Sequence, residues 1–332
     1  NVSFLCLTFC PSKVSNSMVD FFTNIYSSIK NKNSLLTKIR FYSLLRVIVR
    51  QTANIVLPVY FQLTKNKYSI PKENQTIEDG LIVSFTSFPA RIKKVHLVVE
   101  TILRQTVLPH RIILWLSQEQ FPTEESLPKK LLELRSRGLE IKIRENDLRS
   151  HKKYYYTLKE YPNDILITID DDILYPTNMI ETLLEAHEKY PNAIIARYGS
   201  KIRVDNNLIK PYKDWMKNYA TDQPNDFAFF GSGGGTLFPV GSFPSVTIDK
   251  NIFLIVCPLA DDVWLNSMIR LNDKKVLLLK ANKDILFPVV NNKNTTLASQ
   301  NVGKDLNDTQ LNDVRDYFIE NHGVDPFRKV FE

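Results

Sequence analysis

The chain has 332 residues, 43% hydrophobic and 24% charged, enough for one large α/β domain with an appendage or for two ordinary domains. That balance excludes a disordered chain and a polytopic membrane protein. The net charge of +7 is lopsided: residues 1–80 carry ten Lys or Arg against four acids, so a nucleic-acid-binding face on the nearly neutral remainder is not expected.

Three cysteines, Cys6, Cys10 and Cys257, form no CxxC pair and have no histidines at ligand spacing. Neither a disulfide framework nor a structural zinc site is expected, and reduced cytosol is the simplest compartment. The first ten residues are apolar but lack a basic n-region, so they do not read as a signal peptide. Met18 is a candidate start, with residues 1–17 an upstream extension.

Within residues 35–57, Phe41, Leu44, Leu45, Ile48, Thr52 and Ile55 recur at helical spacing, while Lys38, Ser43, Arg46 and Arg50 fall on the other side. This predicts a basic amphipathic helix. Arg46 and Arg50 sit too centrally for a spanning helix, which needs about 20 predominantly apolar residues. Lying in the interface of an anionic leaflet and packing on the catalytic domain or a second subunit both fit the pattern. Pro58 is expected to end or kink the helix, and residues 65–80 to form a linker. The expected organisation is an N-terminal segment over 1–64, that linker, and a catalytic domain over 81–332.

From residue 81 strands and helices alternate. Strands are predicted at 81–85, 111–116, 139–143 and 165–169, with helices at 92–104, 127–138 and 154–161; 194–197 and 236–238 are further strands. Such alternation predicts a mostly parallel sheet flanked by helices.

The fourth strand, Ile165-Leu-Ile-Thr-Ile169, runs into three carboxylates, Asp170, Asp171 and Asp172. Like charges so close repel and push at least one pKa upward unless a cation sits among them. Carboxylate oxygens suit Mg2+ or Mn2+, and Mg2+ is commonly held by one or two carboxylates plus the phosphates of a substrate. A solvated acidic turn is the bland reading, but the carboxyl ends of strands in open α/β sheets are where ligands bind.

Upstream, His151-Lys-Lys-Tyr154 places Lys152 and Lys153 where they could neutralise a diphosphate, although paired lysines are more often a solvated face. The run Gly231-Ser-Gly-Gly-Gly235 predicts a mobile or tightly turning loop, with Gly233, Gly234 and Gly235 shaping a substrate pocket; no Gly-Lys-Ser/Thr follows, which removes the P-loop reading. Asp261 and Asp262 open a predicted helix, where Asp261 would also make a good N-cap. The polar C-terminal stretch fits acceptor recognition or simple packing.

Thr168-Ile-Asp-Asp-Asp-Ile-Leu-Tyr175, preceded by an apolar strand and by a βα unit opening Ile82-Val-Ser-Phe-Thr-Ser-Phe-Pro-Ala-Arg91, resembles the nucleotide-sugar-binding half of a GT-A glycosyltransferase, close to family 2, over roughly residues 80 to 285. The resemblance implies a DXD metal site at Asp170 and Asp172 with Mn2+ or Mg2+, and a nucleoside diphosphate sugar, UDP-linked, as donor. It implies donor contacts at Thr86, Arg91, Lys152, Lys153, Asp170 and Asp171, a donor half over about 81–175 and an acceptor half over about 176–332. Asp262, or Asp261 in its place, is implied as catalytic base of an inverting transfer; the family more often has Glu where this chain has Asp261. The implied acceptor is a glycan or lipid-linked glycan in surface-polysaccharide assembly, with the enzyme peripheral at the inner face of the cell membrane. A second reading is a Mg2+-dependent phosphotransferase of the haloacid-dehalogenase type, using Asp170 and Asp172 with Asp261 and Asp262. Against it, Leu174 stands where that pattern has Thr or Val, and the acidic strand follows three others instead of leading.

Overall fold

The computed structural model describes residues 17–29, 40–70, 80–217, 219–280, 287–289 and 306–332. The expectations for residues 1–16, for most of the linker and for the polar stretch before residue 306 lie outside these.

Seven strands form the central sheet: β1 (Leu81–Thr86), β2 (Arg111–Ser117), β3 (Leu139–Arg144), β4 (Ile165–Ile169), β5 (Ile194–Ala196), β6 (Gly234–Phe238) and β7 (Val276–Leu278), in the order β7-β5-β6-β4-β1-β2-β3. The first four are mutually parallel, β5 pairs parallel with β7, and β6 runs antiparallel between β4 and β5. Runs such as Ile165–Ile169 are apolar but for Thr168, whose hydroxyl donates to the Ser232 carbonyl, because both faces of the sheet are covered.

On one face Val83, Phe85, Ile167 and Ile169 pack with α1 (Met18–Ser28), α2 (Phe41–Thr64), α3 (Val95–Ile102) and α5 (Met179–Lys189). On the other, Leu166 and Phe238 pack with α4 (Lys152–Glu160), α6 (Lys250–Val256), α7 (Asp261–Leu271) and α8 (Leu306–His322). A buried polar knot seats α4: Trp115 Nε1 donates to Ser84 Oγ at 3.0 Å and to Thr157 Oγ1 at 2.8 Å, and Ser84 Oγ donates to the Lys153 carbonyl at 2.5 Å.

Three local expectations need correction. The helix predicted over 127–138 is a single turn, Lys129–Leu132, followed by a 3-10 stretch to Arg137, and it stops at Gly138 with φ +112°. The glycine run is not all loop: Gly234 and Gly235 begin β6, where Gly235 at φ +91° accommodates a register shift that an L side chain would resist. Pro58 does not end α2, which continues to Thr64 because Leu57 and Phe61 on either side are buried in the core.

The orientation of α2 also differs from a simple basic surface helix. Ala53, Leu57 and Phe61 face the domain, and Arg46 turns inward to donate to the Ile29 carbonyl at 2.7 Å. The Phe61 carbonyl and Thr64 Oγ1 accept from Arg104, which is ion-paired with Glu100; Arg137 pairs with the same carboxylate at 2.5 Å and donates to the Tyr68 carbonyl. Residues 65–70 are thereby fastened to the domain.

Candidate active site

The acidic triplet stands at the carboxyl end of β4, beside the carboxyl end of β1, and its three members have different surroundings. Asp171 points into the protein, where its Oδ2 accepts from Ser87 Oγ at 2.5 Å and its Oδ1 from Arg91 Nη1 at 2.8 Å. The same Arg91 nitrogen lies 2.9 Å from Asp172 Oδ2. The loop after β1 therefore clamps the triplet. Thr86 is turned to the sheet, donating to the Trp115 carbonyl at 2.7 Å.

Asp170 is held from both sides. Its amide lies 3.1 Å from the Gly233 carbonyl and 2.9 Å from the Tyr175 hydroxyl, which itself donates to the Gly233 carbonyl. A Cβ on Gly233 would fall 1.8 Å from Asp170 Oδ2, so only glycine lets the carboxylate lie there. Asp170 remains 44% exposed at its side chain, the most open of the three.

Lys153 links this edge to the second acidic motif. Fully buried, its ammonium lies 3.1 Å from Asp170 Oδ1 and 2.9 Å from Asp261 Oδ2. Burial pulls its pKa down, but Asp170, Asp261 and Asp262 outweigh that and hold it well above the ordinary lysine value. Lys152 is occupied elsewhere, ion-paired with Asp147.

Ser232 completes the connection: its hydroxyl donates to Asp261 Oδ2 and its amide to Asp262 Oδ1, both at 2.6 Å. Asp261 is not the N-cap of α7; Ala260 holds that position. The amides of Leu259 and Ala260 are instead received by Gln310 Oε1 from α8, at 2.7 and 3.1 Å. The C-terminal helix thus fixes the approach to the second motif.

Environment separates the two adjacent aspartates. Burial raises Asp261, but Lys153, His151 and the Ser232 hydroxyl outweigh it and hold the carboxylate at about 2. For Asp262, burial and the Asp261 charge win over Lys153 and Ser232 and push it up to about 6. Asp262 Oδ2 is turned toward Gly231, against which the Tyr198 ring packs so closely that a Cβ there would meet it at 2.8 Å. The phenols of Tyr198 and Tyr212 are both raised, by burial and then by the Asp262 charge, and Tyr212 leans on Trp215 with ring centroids 4.9 Å apart. His151, legible in the sequence only as part of a basic run, is a buried neutral strut between Tyr154 and the Cys257 carbonyl, driven by burial to about 4. His322 lies against Tyr317 and Phe318.

The donor set fits a divalent ion held partly by its substrate. Asp172 is pushed up to about 7 by burial and then by the Asp170 charge, despite Arg91, the condition a cation relieves. Among the described residues there is no cluster of three or more metal-ligating side chains. The protein would supply Asp170 and Asp172, leaving the remaining positions to phosphate and water oxygens, as Mg2+ commonly requires. Arg197, just after β5 and alongside Gly235, adds a guanidinium whose Nη1 is buried without a hydrogen-bond partner. Cavities of about 480 Å3 beneath α2 and about 530 Å3 beside Arg144 and Tyr156 are not lined by either acidic motif.

Thr86, Arg91, Lys153, Asp170, Asp171, Asp172, Gly233, Asp261 and Asp262 thus belong to one sheet edge, with Lys152 turned away from it. Ser232, Tyr198, Tyr212 and Arg197 were not singled out in the sequence, whereas Gln310 stood in the polar C-terminal stretch expected to serve acceptor recognition or simple packing. Only the position of Ser232 inside the glycine run could have signalled any of the first four.

No known family model matches the sequence, and no curated protein matches it. Among solved structures the chain is similar to a mannosyltransferase from Pyrobaculum calidifontis in complex with GDP-mannose and Mn2+, at 13% identity over 86% of this chain and 78% of that one, with a TM-score of 0.48. It is also similar to a 4-diphosphocytidyl-2C-methyl-D-erythritol synthase, at 10% identity over 69% and 99% of the two chains with a TM-score of 0.38. A third is a CMP:2-keto-3-deoxy-manno-octonic acid synthetase complexed with CTP, at 11% identity over 60% and 89% with a TM-score of 0.36. These likenesses carry no argument about activity. With a mainly parallel sheet covered by helices on both faces and a helical pair at its N-terminal end, the chain has a mixed α/β fold.

Proposed function

We propose that this protein is a metal-dependent glycosyltransferase that moves a sugar, with inversion, from a nucleoside diphosphate sugar to a hydroxyl of a glycan or lipid-linked glycan, as in surface-polysaccharide assembly. One observation carries the reading: two acidic motifs far apart in sequence meet through Lys153 and Ser232 at one sheet edge, one exposing Asp170 and the other an aspartate raised to about 6.

The division of labour follows from the surroundings. Asp262 is the base: its Oδ2 takes the proton of the acceptor hydroxyl as that oxygen bonds to the anomeric carbon, while the bond from that carbon to the diphosphate breaks and its electrons leave with the diphosphate. A carboxyl near 6 is ionised at neutral pH yet basic enough to help. Tyr198 and Tyr212, backed by the buried Trp215, offer aromatic faces to a sugar. Asp170 and Asp172 would hold Mn2+ or Mg2+, which when bound stabilises the charge of the departing diphosphate. Asp171 positions rather than ligates, and Lys153 holds the Asp170 and Asp261 carboxylates in place.

The test is calorimetry with UDP, GDP and CDP, with and without Mn2+, on the wild type and on Asp172→Asn. One nucleoside diphosphate should bind in a Mn2+-dependent way and lose that dependence in the variant. Unchanged Mn2+-dependent affinity in Asp172→Asn would remove the DXD assignment, and hydrolysis of simple phosphomonoesters without nucleotide binding would favour the phosphotransferase reading.

A further inference from the structure

The outward face of α2 is the wrong way round for a soluble protein. Phe41, Leu44, Ile48, Ile55, Val59 and Leu63 form one stripe at helical spacing, and it faces solvent, with Ile55 70% and Leu63 80% exposed. The helix has 24 residues, so the stripe extends over about 35 Å. Phe21 and Ile25 of α1, which packs on α2, are exposed as well. An apolar strip of this length on a monomer marks an interaction site.

Its charge pattern selects the partner. From Arg40 to Ile70 the sequence contains no acidic residue, and exposed Arg40 and Lys67 stand at the two ends of the helix, flanking the stripe. A continuous apolar strip with cations at its ends and no anion along it matches a bilayer surface carrying anionic headgroups. The helix is long and apolar enough to cross a membrane, but its opposite face is engaged: Ala53, Leu57 and Phe61 are buried in the core of the sheet, and Arg104 grips its last turn. A docked α2 can only lie flat.

We infer that α2 inserts its apolar stripe in the plane of an anionic bilayer while its inner face stays on the domain. The binding is mainly hydrophobic, since Arg46 and Arg50 are half-buried on the side away from the stripe. It does not depend on the proposed chemistry.

Flotation of the full chain with phosphatidylcholine vesicles, with and without phosphatidylglycerol, tests it. The protein should float with both, better with the anionic ones, and high salt should remove only that difference. Ile55→Glu with Val59→Glu, two exposed positions, should weaken binding by about tenfold or more while leaving the melting temperature and nucleotide binding unchanged. Failure to float, floating that the double variant does not weaken, or complete release by salt would each overturn the inference. So would a lipid-free dimer in sedimentation velocity that the double variant converts to monomer, because the stripe would then be a surface between copies. Loss of nucleotide binding in the wild type would count against the proposed function and leave this inference standing.

Discussion

The two halves of the sheet were built by different rules. Strands β1 to β4 are parallel, each apolar run is punctuated by a helix, and the candidate site residues follow directly from strand ends: Ser87 and Arg91 after β1, Asp170 to Asp172 after β4. Across β4 the chain changes style. β6 inserts antiparallel, its partner β5 has three residues, and the site is assembled from a glycine turn, a helix start and a glutamine on α8. A parallel half advertises its site in local sequence, whereas the other half makes its site from tertiary contacts.

Lys153 belongs to both halves and is the sharpest place to separate them. Replacing it by Met leaves Asp170 and Asp261 facing each other without the shared ammonium. Removing one partner of a buried ion pair costs about 3–5 kcal/mol, so Lys153→Met should lower unfolding free energy by that order in a denaturant titration. A loss below about 1 kcal/mol would mean that the two motifs are not coupled through this side chain.

Asp262→Asn tests the acceptor half alone. The amide keeps an oxygen for the Ser232 amide but cannot take a proton, so turnover should fall about 100-fold or more, equivalent to about 2.7 kcal/mol in the barrier, with donor binding retained. Full activity here together with an inactive Asp261→Asn would move the base one residue back.

What could be read in advance follows the same division. Ile165–Ile169 is the strand the sequence predicts, because a β-branched run ending in charge has few other solutions. Lys153 stood out as a cation but not as a strut, since its role depends on Asp261, far along the chain. Asp261 could be read as a helix cap as well as a base because local sequence cannot reveal Gln310 arriving from α8 to receive the Leu259 and Ala260 amides. Periodicity found both faces of α2 but could not say which one turns inward.

Gln310→Ala therefore asks how much the second half depends on that remote contact. It strips an acceptor from two backbone amides, the Ala260 one buried. An unsatisfied buried donor costs about 1–3 kcal/mol, and the effect should fall on α7: hydrogen exchange should accelerate at Leu259 and Ala260 while β1 and β4 stay protected. Equal acceleration everywhere would show that the halves unfold as one unit.

The last expected effect is a pH dependence of stability. Asp262 has an ordinary value of 3.8 in the unfolded chain and about 6 in the folded one, so the folded state holds its proton more tightly. Below about pH 3 the group is protonated in both states and makes no difference. Between about 3 and 6 the unfolded chain ionises first, and the wild type loses stability as pH rises; above 6 the cost is fully present. Asp262→Asn has no such dependence. The variant should match the wild type near pH 3 and exceed it at pH 8 by about 3 kcal/mol, each tenfold difference in proton affinity being worth ~1.4 kcal/mol. Because the same substitution removes turnover, a base held above its natural pKa would appear as a site that trades stability for reactivity. Melting curves that differ by a constant amount from pH 3 to pH 8 would show that Asp262 is not raised, and would take away its qualification as the base.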